Sequence, residues 1–382
     1  MNRIVPGVGA LLLLSTSMAQ AGALDRSGQP VTAIFEEGNY AELSFGFTQP
    51  DVQGVLGPVA SGNVAVDYAT TTLAFKYDLS ERLSFAVIVD EPFGADVDYG
   101  EADRGYPIAG STAVFESTSV TALGRYQFSD SLSVHAGARL VRVDADLFVN
   151  SYAPTGAGQT YQAEFDEDED VGFVIGGAYE RPEIALRVAL TYSSETSFSH
   201  DTTYSGFFVP APGAPQIPFG GPGTTEYTLP QSVNLDFRTG IAEGTAIFGS
   251  IRWVDWSSTE IVVPPPYAAN PVVSYEEDVV TYTLGVGRRF TDQLTGTAAV
   301  IYEPATGSDF DRTTGTGGVS NLSPTSGQLG VQLAATYALN ENIELTGAVR
   351  YTRLGDVTTR SIGASFEDND ALTAGLRVGF RF

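Results

Sequence analysis

Leu372-Thr373-Ala374-Gly375-Leu376-Arg377-Val378-Gly379-Phe380-Arg381-Phe382 is the stretch that decides the fold. Every second residue is apolar, and threonine, glycine or arginine stands between. A period of two puts each set on one face of a β-strand. The pattern recurs upstream. Ile343, Leu345, Val349 and Tyr351 alternate with Glu344, Thr346, Ala348 and Arg350. Leu329, Val331, Leu333, Tyr337 and Leu339 alternate with Gln328, Gly330, Gln332, Ala334 and Thr336. Leu83, Phe85, Val87 and Val89, and before them Leu73, Phe75 and Tyr77, do the same. Alternation alone would fit a soluble sandwich. Here the polar face is mostly small residues plus arginine, as the lumen of a membrane barrel requires.

The connections point the same way. Short turns at 78–81, 129–131, 180–183, 242–244, 291–293 and 340–342 alternate with long stretches. These lie near 50–66, 92–112, 148–163, 198–226, 259–274, 304–325 and 355–368, and are polar or rich in glycine and proline. This predicts an all-β, transmembrane antiparallel β-barrel of about 14 strands over residues 40–382, opening with a strand from Tyr40 to Thr48. Lipid offers backbone groups no hydrogen-bond partner, so such a wall must close without an edge. A barrel this wide encloses more room than its own side chains fill. Something must plug it or pass through it.

Arg3, the apolar run from Val8 to Ser15 and Ala19-Gln20-Ala21 make residues 1–21 an export signal peptide. Residues 22–39 are too many for a bare terminus and too few for a domain. They are expected to form a short N-terminal hatch or plug, with a frayed tail as the alternative. A net charge of −26 argues against nucleic-acid partners. The absence of cysteine removes disulfides and any usual zinc set. No cofactor is expected. The cell outer membrane of a Gram-negative bacterium is the expected location, and Phe382 resembles the signal recognised by the barrel assembly machinery. The working assembly is a monomer.

Several residues could carry function. Phe207-Phe208-Val209 and Ile217-Pro218-Phe219 lie in the stretch 198–226. Apolar clusters on an outside loop need a reason, and ligand capture is one. Loop self-packing, or contact with lipopolysaccharide acyl chains, is the other. Arg125, Arg139, Arg187, Arg238, Arg252 and Arg350 fall on the small-residue face. Any of them could hold a substrate carboxylate in a bidentate grip, or simply pair with Asp90, Asp236 or Glu344. Acidic runs at 164–170, 276–278 and 367–370 read as a solvated rim, with divalent cations bridging to lipopolysaccharide as the sharper alternative. Trp253 and Trp256 are expected in an interfacial girdle. His135 on the polar face and His200 in a long loop are the only histidines, a poor basis for enzymatic chemistry.

The layout resembles FadL/TodX-type transporters of long-chain fatty acids and hydrocarbons. The resemblance rests on Gln29-Pro30-Val31, then Ile34-Phe35, Leu43-Ser44-Phe45-Gly46-Phe47 and Pro50-Asp51-Val52 in the family's order. Asp90-Glu91-Pro92-Phe93-Gly94-Ala95 sits where the family's third strand kinks. Proline removes a ladder donor and glycine tolerates a bend, so an interruption is also expected physically. Leu229-Pro230, placed before strand eight, and Trp253-x-x-Trp256-Ser257, at the top of strand nine, match as well. Gln29 and Val31 depart from the family's Asn and Ala, and the hatch is short.

The resemblance implies a hatch at Gln29, Pro30, Val31 and Phe35, and a lateral opening at Pro92, Phe93 and Gly94. It implies capture by Phe207, Phe208, Val209, Ile217 and Phe219. The expected function is passive transport of long-chain fatty acids or related hydrophobic compounds. Candidate anchors are Arg125, Arg187, Arg252 and Arg350. The alternatives are a general porin for small hydrophilic solutes and, behind it, an outer-membrane lipase or esterase.

Overall fold

The computed structural model describes residues 24–152, 157–266 and 271–382. The signal peptide assigned to residues 1–21 lies outside the described residues. Among the described residues, fourteen antiparallel strands close into one barrel. They are β1 (Tyr40–Asp51), β2 (Tyr68–Asp78), β3 (Leu83–Asp90, continued as Gly94–Asp98), β4 (Thr112–Gln127), β5 (Leu132–Tyr152) and β6 (Gly158–Arg181). β7 is Leu186–Ser193 continued as Thr196–Val209, and β8 is Ile217–Leu229 continued as Ser232–Ala242. β9 (Thr245–Val254), β10 (Val279–Arg289), β11 (Leu294–Glu303), β12 (Gln328–Ala338), β13 (Ile343–Leu354) and β14 (Asp370–Arg381) complete the wall. Closure is between the first and last strands, with Tyr40 opposite Arg381 and Asp51 opposite Asp370.

The period of two sorts the side chains. Phe45, Leu73, Phe75, Leu284, Leu333 and Leu376 are exposed on the outside, where lipid meets them. Ser44, Thr72, Ser84, Thr346 and Arg377 are buried inside. Four of the short turns use one device. Leu79, Phe128, Phe290 and Leu339 each donate their backbone N–H to the carbonyl of Leu83, Leu132, Leu294 and Ile343, respectively, at 2.8–2.9 Å. The next residue, Ser80, Ser129, Thr291 or Asn340, turns its side-chain oxygen back to accept the N–H of the returning strand, at 2.9–3.2 Å. Short polar side chains that mimic a backbone acceptor are what tight turns select.

The outer side departs from the expected loops. The stretch 198–226 is a β-hairpin, because β7 and β8 stay paired from Thr196–Leu229 up to Phe208–Ile217. Glycine and proline at 206, 210, 220 and 222 suggested a loop, but Gly206 and Gly220 let the two backbones approach. A Cβ on Gly220 would meet the Tyr204 carbonyl across the hairpin at 2.8 Å, and one on Gly206 would collide with the Thr160 carbonyl of β6. Leu229-Pro230 falls inside strand eight rather than before it, and His200 lies in β7, fully buried. β5 and β6 likewise run to Tyr152 and from Gly158, shortening the stretch expected at 148–163.

Across the barrel seam, the strands Gln53–Leu56, Val59–Asn63, Val357–Thr358 and Ser365–Phe366 form a separate sheet over the mouth. Phe366 fills the space a side chain at residue 54 would need; a Cβ on Gly54 would come within 2.4 Å of the ring. Beside it Tyr99 stacks on Tyr106 at 5.7 Å and donates its hydroxyl to the Asn321 carbonyl at 2.6 Å. Burial pushes the Tyr106 phenol up to about 12.

Candidate functional site

The segment 24–36 lies inside the barrel. Val31, Ala33, Ile34 and Phe35 are buried, the last three in the short 3-10 turn Thr32–Phe35. Phe35 is held on three sides. The Arg125 and Arg187 guanidinium carbons lie 4.8 Å from its ring centroid, and His135 meets it edge-on at 5.4 Å. Cation–π contacts of this kind are worth roughly 0.5–2 kcal/mol each. Gln29 adopts a left-handed backbone, φ 53°, and accepts a hydrogen bond from Ser232 at 2.9 Å. Asparagine tolerates that conformation better than other side chains, a physical reason for the Asn that the resembled pattern carries there. Asn234 binds the Gly28 carbonyl at 3.0 Å, Lys76 binds that of Gly38 at 2.7 Å, and Arg381 pairs with Glu36 at 2.9 Å. Opposite walls of the lumen therefore grip one segment.

The backbone ladder between β2 and β3 breaks. It runs from Asp78–Ser84 to Leu73–Val89 and stops. Tyr68–Thr72 keep their pairing with β1 but have no strand on the β3 side. Pro92 lacks an N–H, and Phe93 turns its backbone to Ser117 instead, donating to Oγ at 2.9 Å and accepting from it at 2.7 Å. The break is level with Phe45, opposite Thr71, and Phe47, opposite Ala69, both exposed in the lipid-facing band.

Residues Leu24-Asp25-Arg26 occupy this break. Asp25 bridges Phe93, Arg26 donates to the Pro92 carbonyl and Gly94 donates to that of Leu24, both at 2.8 Å. Arg26 stacks on Tyr68 at 4.3 Å, and a Cβ on Gly94 would meet its guanidinium at 2.5 Å. Asp25 is fixed from across the lumen by Arg252 at 2.6 Å. Asp90 accepts from Ser27 at 2.5 Å and also from Ser119. Sequence reasoning missed this arm, since three residues of mixed polarity carry no period.

Above the break the interior is apolar. Phe93 meets the fully buried Trp256 edge-on at 5.8 Å. Trp256 thus belongs to the core rather than the girdle. A continuous cluster leads from this pair through Phe115, Phe165, Phe198 and Tyr227 to Val149 and Leu322. At its outer end, Val149, Leu322, Ile108, Val272, Asn321 and Arg360 line a cavity of about 120 Å3. Phe207, Phe208 and Ile217 stand exposed at the hairpin tip, Phe219 packs against Tyr161, and Val209 is buried.

The arginines divide. Arg125 pairs with Glu180 and Arg252 with Asp25. Arg139 binds Thr121 and Ser193, and Arg187 lies over Phe35. Arg350 is buried, donates to Gln332 at 3.3 Å, and has no carboxylate within ion-pair distance among the described residues. Its electrostatic neighbour is Tyr68, beside the break. The histidines bond Thr191 in one case, and Tyr227 with the Asp166 carbonyl in the other. Among the described residues neither histidine hydrogen-bonds a serine.

A closed wall, apolar outside, with an occupied lumen and a break at lipid depth defines an outer-membrane transport barrel. The chain belongs to the family described as Outer membrane protein transport protein (OMPP1/FadL/TodX), whose model matches residues 32–381. The fold is similar to that of a Pseudomonas aeruginosa FadL homologue, at 13% identity and TM-score 0.75 over 95% of each chain. It is also similar to the Pseudomonas putida toluene transporter TodX, at 13% identity and TM-score 0.67 over 92% of each chain. The CymD monoaromatic hydrocarbon channel matches at 14% identity and TM-score 0.63 over 94% of each. At these identities the likeness speaks for the fold. No curated protein matches the sequence.

Proposed function

We propose that the protein carries small hydrophobic molecules, long-chain fatty acids or hydrocarbons, from the cell exterior into the outer membrane, releasing them sideways between β2 and β3. The observation that carries this reading is the break at lipid depth, filled by Leu24-Asp25-Arg26 and lying at the foot of a continuous apolar column. A molecule captured at the hairpin tip or the mouth cavity would descend the column to Phe93. Displacing the arm would then join lumen to lipid without any wall strand leaving its neighbours. Arg350 is the arginine best placed to hold a carboxylate, because it is buried and no acid among the described residues lies within ion-pair distance of it. Segment 24–36 serves as the hatch. Relatives that carry toluene and monoaromatic hydrocarbons favour the same substrate class.

A general porin would need a wet bore, and the apolar column argues against one. A lipase would need a serine beside a histidine. Lipopolysaccharide against the acidic rim, and the barrel assembly machinery reading Phe382, belong to the same proposal. That ring faces lipid and stacks on Phe75 at 5.9 Å and Phe380 at 5.6 Å. Uptake of labelled oleate and labelled toluene by cells with and without the protein tests the reading. Loss of uptake on deletion is expected; uptake of both compounds unchanged by deletion would overturn it.

A further inference from the structure

A second interruption lies in the wall between β6 and β7. The two strands pair from Arg181–Leu186 to Val174–Ser193, and again from Phe165–Thr202 to Gly158–Val209. Both stretches share one register, nine residues separating Val174 from Phe165 and Ser193 from Thr202. Beyond one further backbone bond, from the Ser194 N–H to the Phe173 carbonyl at 2.9 Å, the ladder between them is missing, and the sequence shows why. On β6 the inward-facing residues are Tyr161, Ala163 and Phe165, then Gly172 and Val174. The alternation slips by one near Asp166-Glu167, where β6 also shifts against β5. On β7 they are Ala189, Thr191 and Ser193, then Thr196, Phe198 and His200, a slip at Ser194-Glu195. Inside the window, residues opposite one another face opposite sides, and a ladder cannot form out of phase.

Side chains bridge the window instead. Asp170 Oδ2 accepts the Ser197 N–H and Asp168 Oδ2 that of Ser199, each at 2.7 Å. Ser194 Oγ accepts the Phe173 N–H at 2.9 Å. Directly behind lie His200, Phe198 and Tyr227, rings stacked at 5.3–6.0 Å, and Phe198 and Tyr227 belong to the apolar column. In front, Val171 and Phe173 are exposed at the edge of the lipid-facing band, with Glu167 and Glu169 exposed next above.

We propose that this seam is a second lateral passage, by which uncharged hydrophobic molecules dissolved at the outer-leaflet boundary enter the apolar column. The proposal rests on the hydrophobic-transport reading above. Above the Ser194–Phe173 bond, opening the seam asks for release of the Asp168 and Asp170 carboxylates and of the His200 Nδ1 contact with the Asp166 carbonyl rather than rupture of a backbone ladder, and side-chain rotation is the faster event. The same carboxylates repel a fatty-acid head group, so the seam admits neutral solutes while carboxylates use the mouth.

The chain has no cysteine, so an Asp170→Cys/Ser197→Cys pair can be bridged selectively in reconstituted vesicles by a cleavable thiol cross-linker. Bridging should lower toluene passage severalfold, with recovery on cleavage, and leave laurate passage unchanged. Equal effects on both probes, or none on toluene, overturn the proposal. A second readout needs no transport: Asp168→Ala/Asp170→Ala should raise labelling of Phe198→Cys by a membrane-dissolved maleimide. Unchanged labelling also overturns it. If the unmodified protein passes neither probe, the transport reading fails, and labelling alone decides the seam.

Discussion

The two interruptions of the wall differ in cause and in what seals them. Between β2 and β3, Pro92 removes a donor, and the gap is filled by three residues of the N-terminal segment and by the Phe93–Trp256 contact. Between β6 and β7 the donors and acceptors are all present but out of phase, and two aspartates restore the bonds locally. One seal is a separate segment that brings its own backbone hydrogen bonds and ring packing; the other is side-chain hydrogen bonding in place. A barrel can thus weaken its wall in two ways and cover each gap with groups from another segment or from the strands themselves.

Substitutions distinguish the two seals. Phe93→Ala should cost the most, about 3–5 kcal/mol, because it empties a buried ring site. Urea unfolding of the barrel in detergent measures it; a loss below that of the seam variant would refute the packing account. Asp168→Ala/Asp170→Ala should cost less, roughly 1–3 kcal/mol, from lost charge-assisted hydrogen bonds. An equal loss in the Asn pair, which keeps an acceptor, would show that acceptor geometry is not what seals the seam. Arg350→Gln should weaken binding of a fatty acid about tenfold, near 1.4 kcal/mol, and leave toluene unaffected. Titration calorimetry with laurate decides this, and parallel losses for both ligands would remove Arg350 as a carboxylate anchor. Phe207→Ser/Phe208→Ser should have the smallest effect. Stability should stay within about 0.5 kcal/mol, with slower uptake only at low substrate; no change in uptake would leave the exposed tip without a capture role.

Much of the wall was legible because period two is local. Leu372 to Phe382 and its upstream counterparts state their faces without reference to partners, and Ser80, Ser129, Thr291 and Asn340 mark the turns. Three things were not legible. The hairpin Thr196–Leu229 hid behind its glycines and prolines, which here allow close backbone approach instead of ending a strand. The seam hid because two slips of phase, one in an acidic run, read as a loss of alternation. The arm at Leu24-Asp25-Arg26 and the choice among arginines depend on partners far away in the chain, as with Asp25 and Arg252. No spacing rule reports such pairs. Pro92-Phe93-Gly94 was legible as an interruption, but not what occupies it.

Lateral release between β2 and β3 is the central claim. Thr71 and Glu91 face each other across the break, with the Thr71 N–H donating to the Glu91 carboxylate at 3.1 Å. A Thr71→Cys/Glu91→Cys pair bridged by a cleavable thiol cross-linker would hold the break shut. Bridged barrels should still bind laurate but deliver it at the background rate, and cleavage should restore delivery. Undiminished delivery through fully bridged barrels would contradict lateral release.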